Sequence, residues 1–182
     1  MKSIILVGYM CAGKTTVGKA LAKSMGLRFY DLDWYIEDRF HKRIADIFAE
    51  KGEEGFRDIE YRLLREAAEF EDIVLSCGGG TPCFFDNMEY MNRTGITLFL
   101  KADPETIITH YHISHTVRPL LAGKNDEELK TFITQQLQNR SPFYEQAQYT
   151  IDVNVLDSYD KISIIVSQIQ QILNLENGKM EN

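Results

Sequence analysis

The sequence predicts an α/β fold with a parallel sheet flanked by helices, and three observations carry that prediction. Short apolar, β-branched runs recur at residues 3–7, 73–76, 96–100 and 149–153, the pattern of strands covered on both faces. Between them, apolar residues recur at three- and four-residue spacing, as amphipathic helices require. The first run leads directly into Gly8-Tyr9-Met10-Cys11-Ala12-Gly13-Lys14-Thr15-Thr16, which fits G-x-x-x-x-G-K-[ST] with no mismatch. This loop opens onto a helical face of Val17, Ala20, Leu21 and Met25. Strands alternating with helices in this way build βαβ units.

The loop defines the first chemistry. Gly8 and Gly13 admit backbone conformations that a side chain blocks, so successive N–H groups converge on phosphate oxygens. The helix N-terminus behind them adds unpaired N–H groups and positive dipole. Cys11, Ala12, Gly13, Lys14, Thr15 and Thr16 are therefore the candidate nucleotide-binding residues. Lys14 reaches the β- and γ-phosphates of ATP, and the Thr15 hydroxyl is a ligand for Mg²⁺. An ordinary glycine turn does not account for a complete motif placed between a strand and a helix.

Composition bounds the rest. At 182 residues, 44% hydrophobic and 26% charged, the chain suits one domain, expected over residues 1–174, with a frayed tail at 175–182. A net charge of −7 argues against a nucleic-acid surface, which needs a basic face. No apolar run approaches the roughly 20 residues of a membrane span. A strand that begins at the third residue leaves no room for a signal peptide, so a cytoplasmic protein is expected. Cys11, Cys77 and Cys83 form no disulfide framework and read as reduced thiols.

A second strand at about 28–31 ends in Asp31-Leu32-Asp33. Ligands of open α/β sheets bind at the carboxyl ends of strands, so both acids fall near the phosphate loop. Asp31 can hold Mg²⁺, and Asp33 can face a hydroxyl acceptor; the bland alternative is a turn with Asp33 as N-cap. Residues 34–50 read as two short helical pieces broken near 41–43, with Gly52 and Gly55 preceding a longer helix whose core stripe is Phe56, Ile59, Leu63, Ala67 and Phe70. Arg57 and Glu60 are three apart on another face. The acid can orient the guanidinium toward a carboxylate, or the two can form a surface pair of little worth. The third strand runs into Gly78-Gly79-Gly80, which suits close approach of backbone to a ligand or a flexible loop. Residues 84–93 read as helix.

After the fourth strand, Asp103 caps and Pro104 opens a helix to about residue 111. The next stretch breaks the pattern and reads as a mobile lid over 111–124, with Arg118 as the cation that meets the phosphates. His110, His112 and His115 read as solvated lid residues rather than zinc ligands. Asn125 and Glu128 make a capping pair for a helix to about 139, with Leu129, Phe132, Ile133 and Leu137 as its stripe; Arg140 ends it. A fifth strand follows. A last helix, capped by Asp157 or Ser158, carries Ile162, Ile165, Ile169 and Ile172 on one face.

Taken in order, these motifs resemble the shikimate kinase family. After the phosphate loop come D-x-D at Asp31 and Asp33, F-R-x-x-E at Phe56 to Glu60, G-G-G at Gly78 to Gly80, R-P-L-L at Arg118 to Leu121, and R-x-x-x-Y at Arg140 and Tyr144. Each later motif is weak alone; five in order are specific. The resemblance implies a three-layer P-loop kinase with a five-stranded parallel sheet in the order 2-3-1-4-5, a substrate-binding insertion at about 33–60 and the lid. It implies transfer of the ATP γ-phosphate to the 3-hydroxyl of shikimate, in aromatic amino-acid biosynthesis, by a cytoplasmic monomer. It assigns Mg²⁺ to Thr15 and Asp31. Shikimate falls to Asp33, Arg57, Gly79, Gly80 and Arg140, and the phosphates to Lys14 and Arg118, with Lys14, Asp33 and Arg118 catalytic. Two departures stand out. Cys11 occupies a position where many relatives carry glycine, so its backbone needs negative φ or bears strain. Near Tyr111, relatives often place an adenine-stacking arginine, a role a tyrosine ring can fill. The rival readings are a gluconate or nucleotide kinase, and a nucleotide-binding module without turnover. The two arginines with G-G-G favour a compact carboxylate over a nucleotide, and the module gives no reason for Asp33, Arg57 and Arg140 together.

Overall fold

The computed structural model describes residues 3–114, 120–154 and 159–180. Five strands, β1 (Ile4–Val7), β2 (Arg28–Asp31), β3 (Ile73–Ser76), β4 (Ile96–Lys101) and β5 (Tyr149–Asp152), form one sheet in the order β2-β3-β1-β4-β5. Every neighbouring pair is parallel. β1, β3 and most of β4 are buried, as runs of Ile, Val and Leu covered on both faces must be. The register sets Asp31 beside Ser76, Leu6 beside Ser76, and Val7 beside Phe99. The carboxyl ends of β1, β2 and β3 therefore lie side by side, and the loops that leave them share one crevice.

Helix α1 (Lys14–Met25) follows β1 and buries Val17, Gly18, Leu21 and Ala22. Helix α2 (Leu32–Phe40) begins at once after β2. Helix α3 (Ile44–Ala68) is bent at Gly52, where φ 68° and ψ −177° leave helical geometry; no Cβ restricts that glycine. The expected break at 41–43 falls between α2 and α3, with His41 at φ 52° as the terminating residue. A 3₁₀ turn at Thr81–Cys83 precedes α4 (Asn87–Thr94), so the expected helix at 84–93 starts three residues later. Helix α5 (Pro104–Ile113) begins as read, with the Asp103 side chain accepting from Thr106 N–H at 2.7 Å, and runs two residues farther.

Helix α6 (Asp126–Tyr144) carries the full Asn125–Glu128 capping box. It does not end at Arg140. It continues through Pro142 because Tyr144 is wholly buried and packs against Phe99, with ring centroids 5.2 Å apart. That tertiary contact outweighs the single backbone bond a proline removes. Helix α7 (Tyr159–Met180) buries Ile165, Ile169 and Leu173, and its helical backbone runs on past residue 174 to Met180. The capping residues proposed for it, Asp157 and Ser158, lie outside the described residues, as do His115 and Arg118 of the expected lid. The lid's far flank is anchored, since Leu121 is buried in the core. Among the described residues no helix is long and apolar enough to cross a membrane.

Candidate active site

The phosphate loop leaves β1 at Gly8, whose φ is 140° and where an added Cβ would lie 2.6 Å from the Leu100 carbonyl oxygen. Only glycine tolerates both conditions. Tyr9 to Ala12 then form a turn closed by Ala12 N–H donating to the Tyr9 carbonyl at 3.2 Å. Cys11 is its third residue, at φ 61°. Of the two backbone states open to Cys11, the chain adopts the left-handed one. A residue with a Cβ carries strain there that glycine does not. Gly13, at φ 84°, is the N-cap of α1 and offers no capping side chain. The first N–H groups of the helix are thus left facing the crevice for an anion.

Lys14 is nearly buried, and its Nζ donates to the carbonyls of Gly8 at 2.9 Å and Tyr9 at 2.8 Å. The ammonium is folded across the loop it belongs to, at the place where a phosphate's charge would compete for it. Thr15 Oγ1 donates to Asp31 Oδ2 at 3.2 Å, joining the loop to the end of β2. A hydroxyl and a carboxylate together are a hard-oxygen donor pair, which fits Mg²⁺. Ala12 is buried, and Thr16 faces solvent. The acids divide the capping work differently from the sequence reading. Asp31, not Asp33, caps α2, accepting from Asp33 N–H at 3.1 Å. Asp33 is thereby left in the first turn with its carboxylate directed at the glycines: a Cβ on Gly78 would meet Asp33 Oδ1 at 3.0 Å and Glu60 Oε1 at 3.4 Å.

On α3, Arg57 Nη1 donates to Glu60 Oε2 at 2.8 Å, and the Glu60 side chain is 1% exposed. This is not a surface pair. The second Glu60 oxygen accepts from Thr81 Oγ1 at 2.6 Å, and the Thr81 carbonyl accepts from Asn87 Nδ2 at 3.0 Å. The guanidinium lies 4.1 Å from the centroid of the Phe84 ring. Arg57 Nε is buried with no hydrogen-bond partner among the described residues. A Cβ on Gly80 would fall 2.7 Å from Arg57 Nη2, so the third glycine is what admits the guanidinium. Gly79 presents its carbonyl to the Tyr144 hydroxyl at 2.5 Å, and an added Cβ there would press Met10 N at 3.2 Å.

Arg140 approaches from α6, with its guanidinium carbon 5.6 Å from the Tyr9 ring centroid. Burial pushes the Tyr9 phenol up to about 12, with Arg140 opposing. Burial raises Tyr144 still further, again against Arg140, so both phenols stay neutral at ordinary pH. Burial likewise raises the Cys83 thiol, and the charges that oppose it are those of Arg140 and Arg57. The charges of both arginines, one on α3 and one on α6, thus act on the 3₁₀ turn. The Cys77 thiol, at the end of β3, is raised well above its usual range by burial, and Glu60, Lys14, Asp31 and Asp33 all act on it. The phosphate-side and acceptor-side charges thus meet at one strand end. Glu60, Thr81, Tyr9 and Tyr144 complete the arrangement. Glu60 had a positional signal, through its spacing from Arg57, and Tyr144 entered only through the R-x-x-x-Y resemblance, which did not give its contact with Gly79. Tyr111 packs half-covered against the core.

Comparison with known proteins agrees with the fold. The family profile described as shikimate kinase matches residues 10–174. A shikimate kinase of Bacteroides fragilis is 51% identical over 175 residues, spanning 96% of this chain and 98% of the relative. The crystal structure of a shikimate kinase from Bacteroides thetaiotaomicron superposes with a TM-score of 0.92 at 50% identity, covering 95% of this chain and 98% of that one. A shikimate kinase from Acinetobacter baumannii, solved in complex with shikimate, gives a TM-score of 0.82 at 35% identity over 96% of this chain and 94% of its own.

Proposed function

This chain belongs to the shikimate kinase family, and on that premise we propose a division of labour among its residues for transfer of the ATP γ-phosphate to the 3-hydroxyl of shikimate. The reaction class is ATP-dependent phosphotransfer to an alcohol, with shikimate 3-phosphate and ADP as products.

The observation that carries the acceptor assignment is the Arg57–Glu60 pair, with Glu60 buried and the guanidinium seated beside Gly80. Two guanidiniums neutralise and orient one carboxylate, which turns a small polyol so that a single hydroxyl faces the nucleotide. Gly79 and Gly80 bring backbone against the substrate. Asp33 takes the proton of that hydroxyl as its oxygen bonds to the γ-phosphorus, while the bond from phosphorus to the β,γ-bridging oxygen breaks and ADP leaves. Cys11, Ala12, Gly13, Lys14, Thr15 and Thr16 hold the nucleotide. Lys14 leaves its two carbonyl partners for the phosphates and stabilises the charge that moves onto the leaving oxygen. Arg118 serves the same phosphates by virtue of its motif. Thr15 and Asp31 would hold Mg²⁺, which when bound neutralises β- and γ-phosphate oxygens. The same reading makes the enzyme a cytoplasmic monomer whose partners are shikimate and ATP, with no nucleic acid and no membrane.

Steady-state kinetics of Arg57→Ala and Arg140→Ala test the assignment. Each should raise the shikimate KM at least tenfold and leave the ATP KM within about twofold, since a charge-assisted hydrogen bond is worth about 1.5–3 kcal/mol. Equal losses for both substrates would refute it.

A further inference from the structure

Arg57 is bound to Glu60 by only part of its fork, and the structure shows what limits the grip. Nη1 donates to Glu60 Oε2 at 2.8 Å. Nε is buried with no hydrogen-bond partner among the described residues. Nη2 meets Glu53 Oε1 at 3.5 Å, the far edge of hydrogen bonding, and that acid is 64% exposed, so the contact is worth little. A carboxylate beside a guanidinium is frequently held by two parallel N–H···O bonds. Glu60 gives Arg57 one oxygen, because the other, Oε1, accepts from the Thr81 hydroxyl at 2.6 Å.

Thr81 is well placed to keep that oxygen. Thr81 and Asn87 are wholly buried, and Glu60 is nearly so. Thr81 N–H donates to the Gly78 carbonyl at 3.1 Å, and the Thr81 carbonyl accepts from Asn87 Nδ2 at 3.0 Å. Asn87 Oδ1 accepts in turn from Arg65 Nη1 at 3.0 Å. The backbone that carries the hydroxyl is therefore bonded on both sides, and the single hydroxyl proton goes to Glu60. Without that proton, Oε1 would be a buried acceptor lacking a donor. The unspent N–H groups of Arg57 sit on the same guanidinium that already binds Glu60. A second bond from them to Oε1 would spend the fork inside the protein.

We propose that Thr81 is a positioning residue for the acceptor half of the reaction. By occupying Glu60 Oε1 it holds that carboxylate to one bond with Arg57, and so keeps the rest of the guanidinium for the substrate carboxylate. The proposal rests on the assignment of Arg57 to that carboxylate. It acts through Glu60 and Arg57 and makes no demand on the nucleotide side.

Thr81→Val keeps the shape of the side chain and removes the proton; Thr81→Ser keeps the proton. Shikimate affinity by calorimetry, and steady-state kinetics with shikimate and with its carboxamide analogue, are measured for the wild type and both variants, at a temperature where thermal unfolding shows all three folded. Thr81→Val should weaken shikimate binding and raise its KM by about three- to tenfold, the worth of one hydrogen bond, with the ATP KM within twofold. Thr81→Ser should stay within twofold of the wild type for both substrates. For the carboxamide, which presents no charge to Arg57, Thr81→Val should change kcat/KM by less than twofold. If Thr81→Val does not fold, Thr81→Ala removes the same proton and carries the same expectations. An unchanged shikimate KM on loss of the hydroxyl overturns the proposal, as does an equal rise in the ATP KM, an equal loss with the carboxamide, or a Thr81→Ser enzyme as impaired as Thr81→Val. A lower thermal midpoint with unchanged shikimate affinity assigns Thr81 a structural role only and equally overturns it. A wild-type protein that turns over no shikimate would instead count against the acceptor assignment itself.

Discussion

Replacing Gly80 by alanine isolates the placement of Arg57 from every other variable. Gly80 has φ −90° and ψ −22°, a right-handed conformation that alanine adopts freely. The backbone change alone would therefore stabilise by about 0.4–1 kcal/mol, through the unfolded chain. The new Cβ, however, would lie 2.7 Å from Arg57 Nη2, 2.9 Å from Nη1 and 3.1 Å from Cζ. Ordinary contact begins at 3.4 Å, so the guanidinium must withdraw by 3.4 − 2.7 = 0.7 Å. Arg57 is the far end of a flexible side chain, but here it is pinned by a 2.8 Å bond to buried Glu60 and by the Phe84 ring. A shift of that size is enough to stretch the bond to the limit of hydrogen bonding. Losing a charge-assisted bond costs about 1.5–3 kcal/mol, which exceeds the backbone gain. The net is a destabilisation of about 1–2 kcal/mol and a thermal midpoint lowered by about 3–6 °C. In a coupled assay of ADP release, kcat/KM for shikimate should fall at least tenfold while the ATP KM stays within about twofold. A Gly80→Ala enzyme with wild-type shikimate kinetics would refute the claim that the third glycine exists to seat Arg57.

Other expectations follow from the same contacts. Lys14→Met keeps the length of the side chain and removes its charge; kcat should fall by about a hundredfold or more with the protein still folded, and near-normal turnover would remove Lys14 from catalysis. Half-exposed Cys11 should be the first thiol to react with iodoacetamide at pH 8 and should be protected by MgADP, whereas buried Cys77, its thiol held neutral, should react only on unfolding. Peptide mapping that finds Cys77 labelled in the native protein would contradict the packing of β3. The Tyr9 hydroxyl is buried and has no hydrogen-bond partner among the described residues. Tyr9→Phe should therefore leave stability unchanged or raised at pH 7, and a loss of more than about 1 kcal/mol in urea unfolding would reveal a partner for the hydroxyl. In the alkaline range the native phenol titrates near 12 and the unfolded one near 10, so the native state holds the proton longer. Stability from this group is complete below pH 10 and is lost as pH rises toward 12, and the Tyr9→Phe protein should be spared that part of the decline.

Much of this was legible in the residues. The strands were visible because a parallel sheet covered on both faces demands unbroken Ile, Val and Leu, as in Ile4–Val7 and Ile73–Ser76. The phosphate loop, the Asp103 and Asn125 caps and the break before α3 are local devices, fixed by a few adjoining side chains. What resisted reading depends on distant partners. Spacing placed Arg57 beside Glu60, but whether the pair was buried or solvated depended on Thr81, 21 residues past Glu60. Arg140 read as the end of a helix, yet Tyr144 is drawn into the core by Phe99 and the Gly79 carbonyl, and the helix follows it through Pro142. Asp33 and Asp31 both had the chemistry of an N-cap. The choice of Asp31 follows from α2 starting directly at the end of β2, which leaves Asp33 for the site. Sequence could state the alternatives for Cys11 but not choose between them. The structure makes the choice, at a φ of 61°.

The account stands most directly on the product formed. With purified protein, MgATP and shikimate, ³¹P NMR should show ATP converted to ADP together with one new phosphomonoester on the 3-oxygen, in equal amounts and only when shikimate is present. The analogue whose carboxylate is converted to an amide should be a poor acceptor, because Arg57 and Arg140 would then face no charge. ADP formed without shikimate, phosphate on a different oxygen, or equal turnover of the amide would contradict the claim that two arginines choose and orient the acceptor.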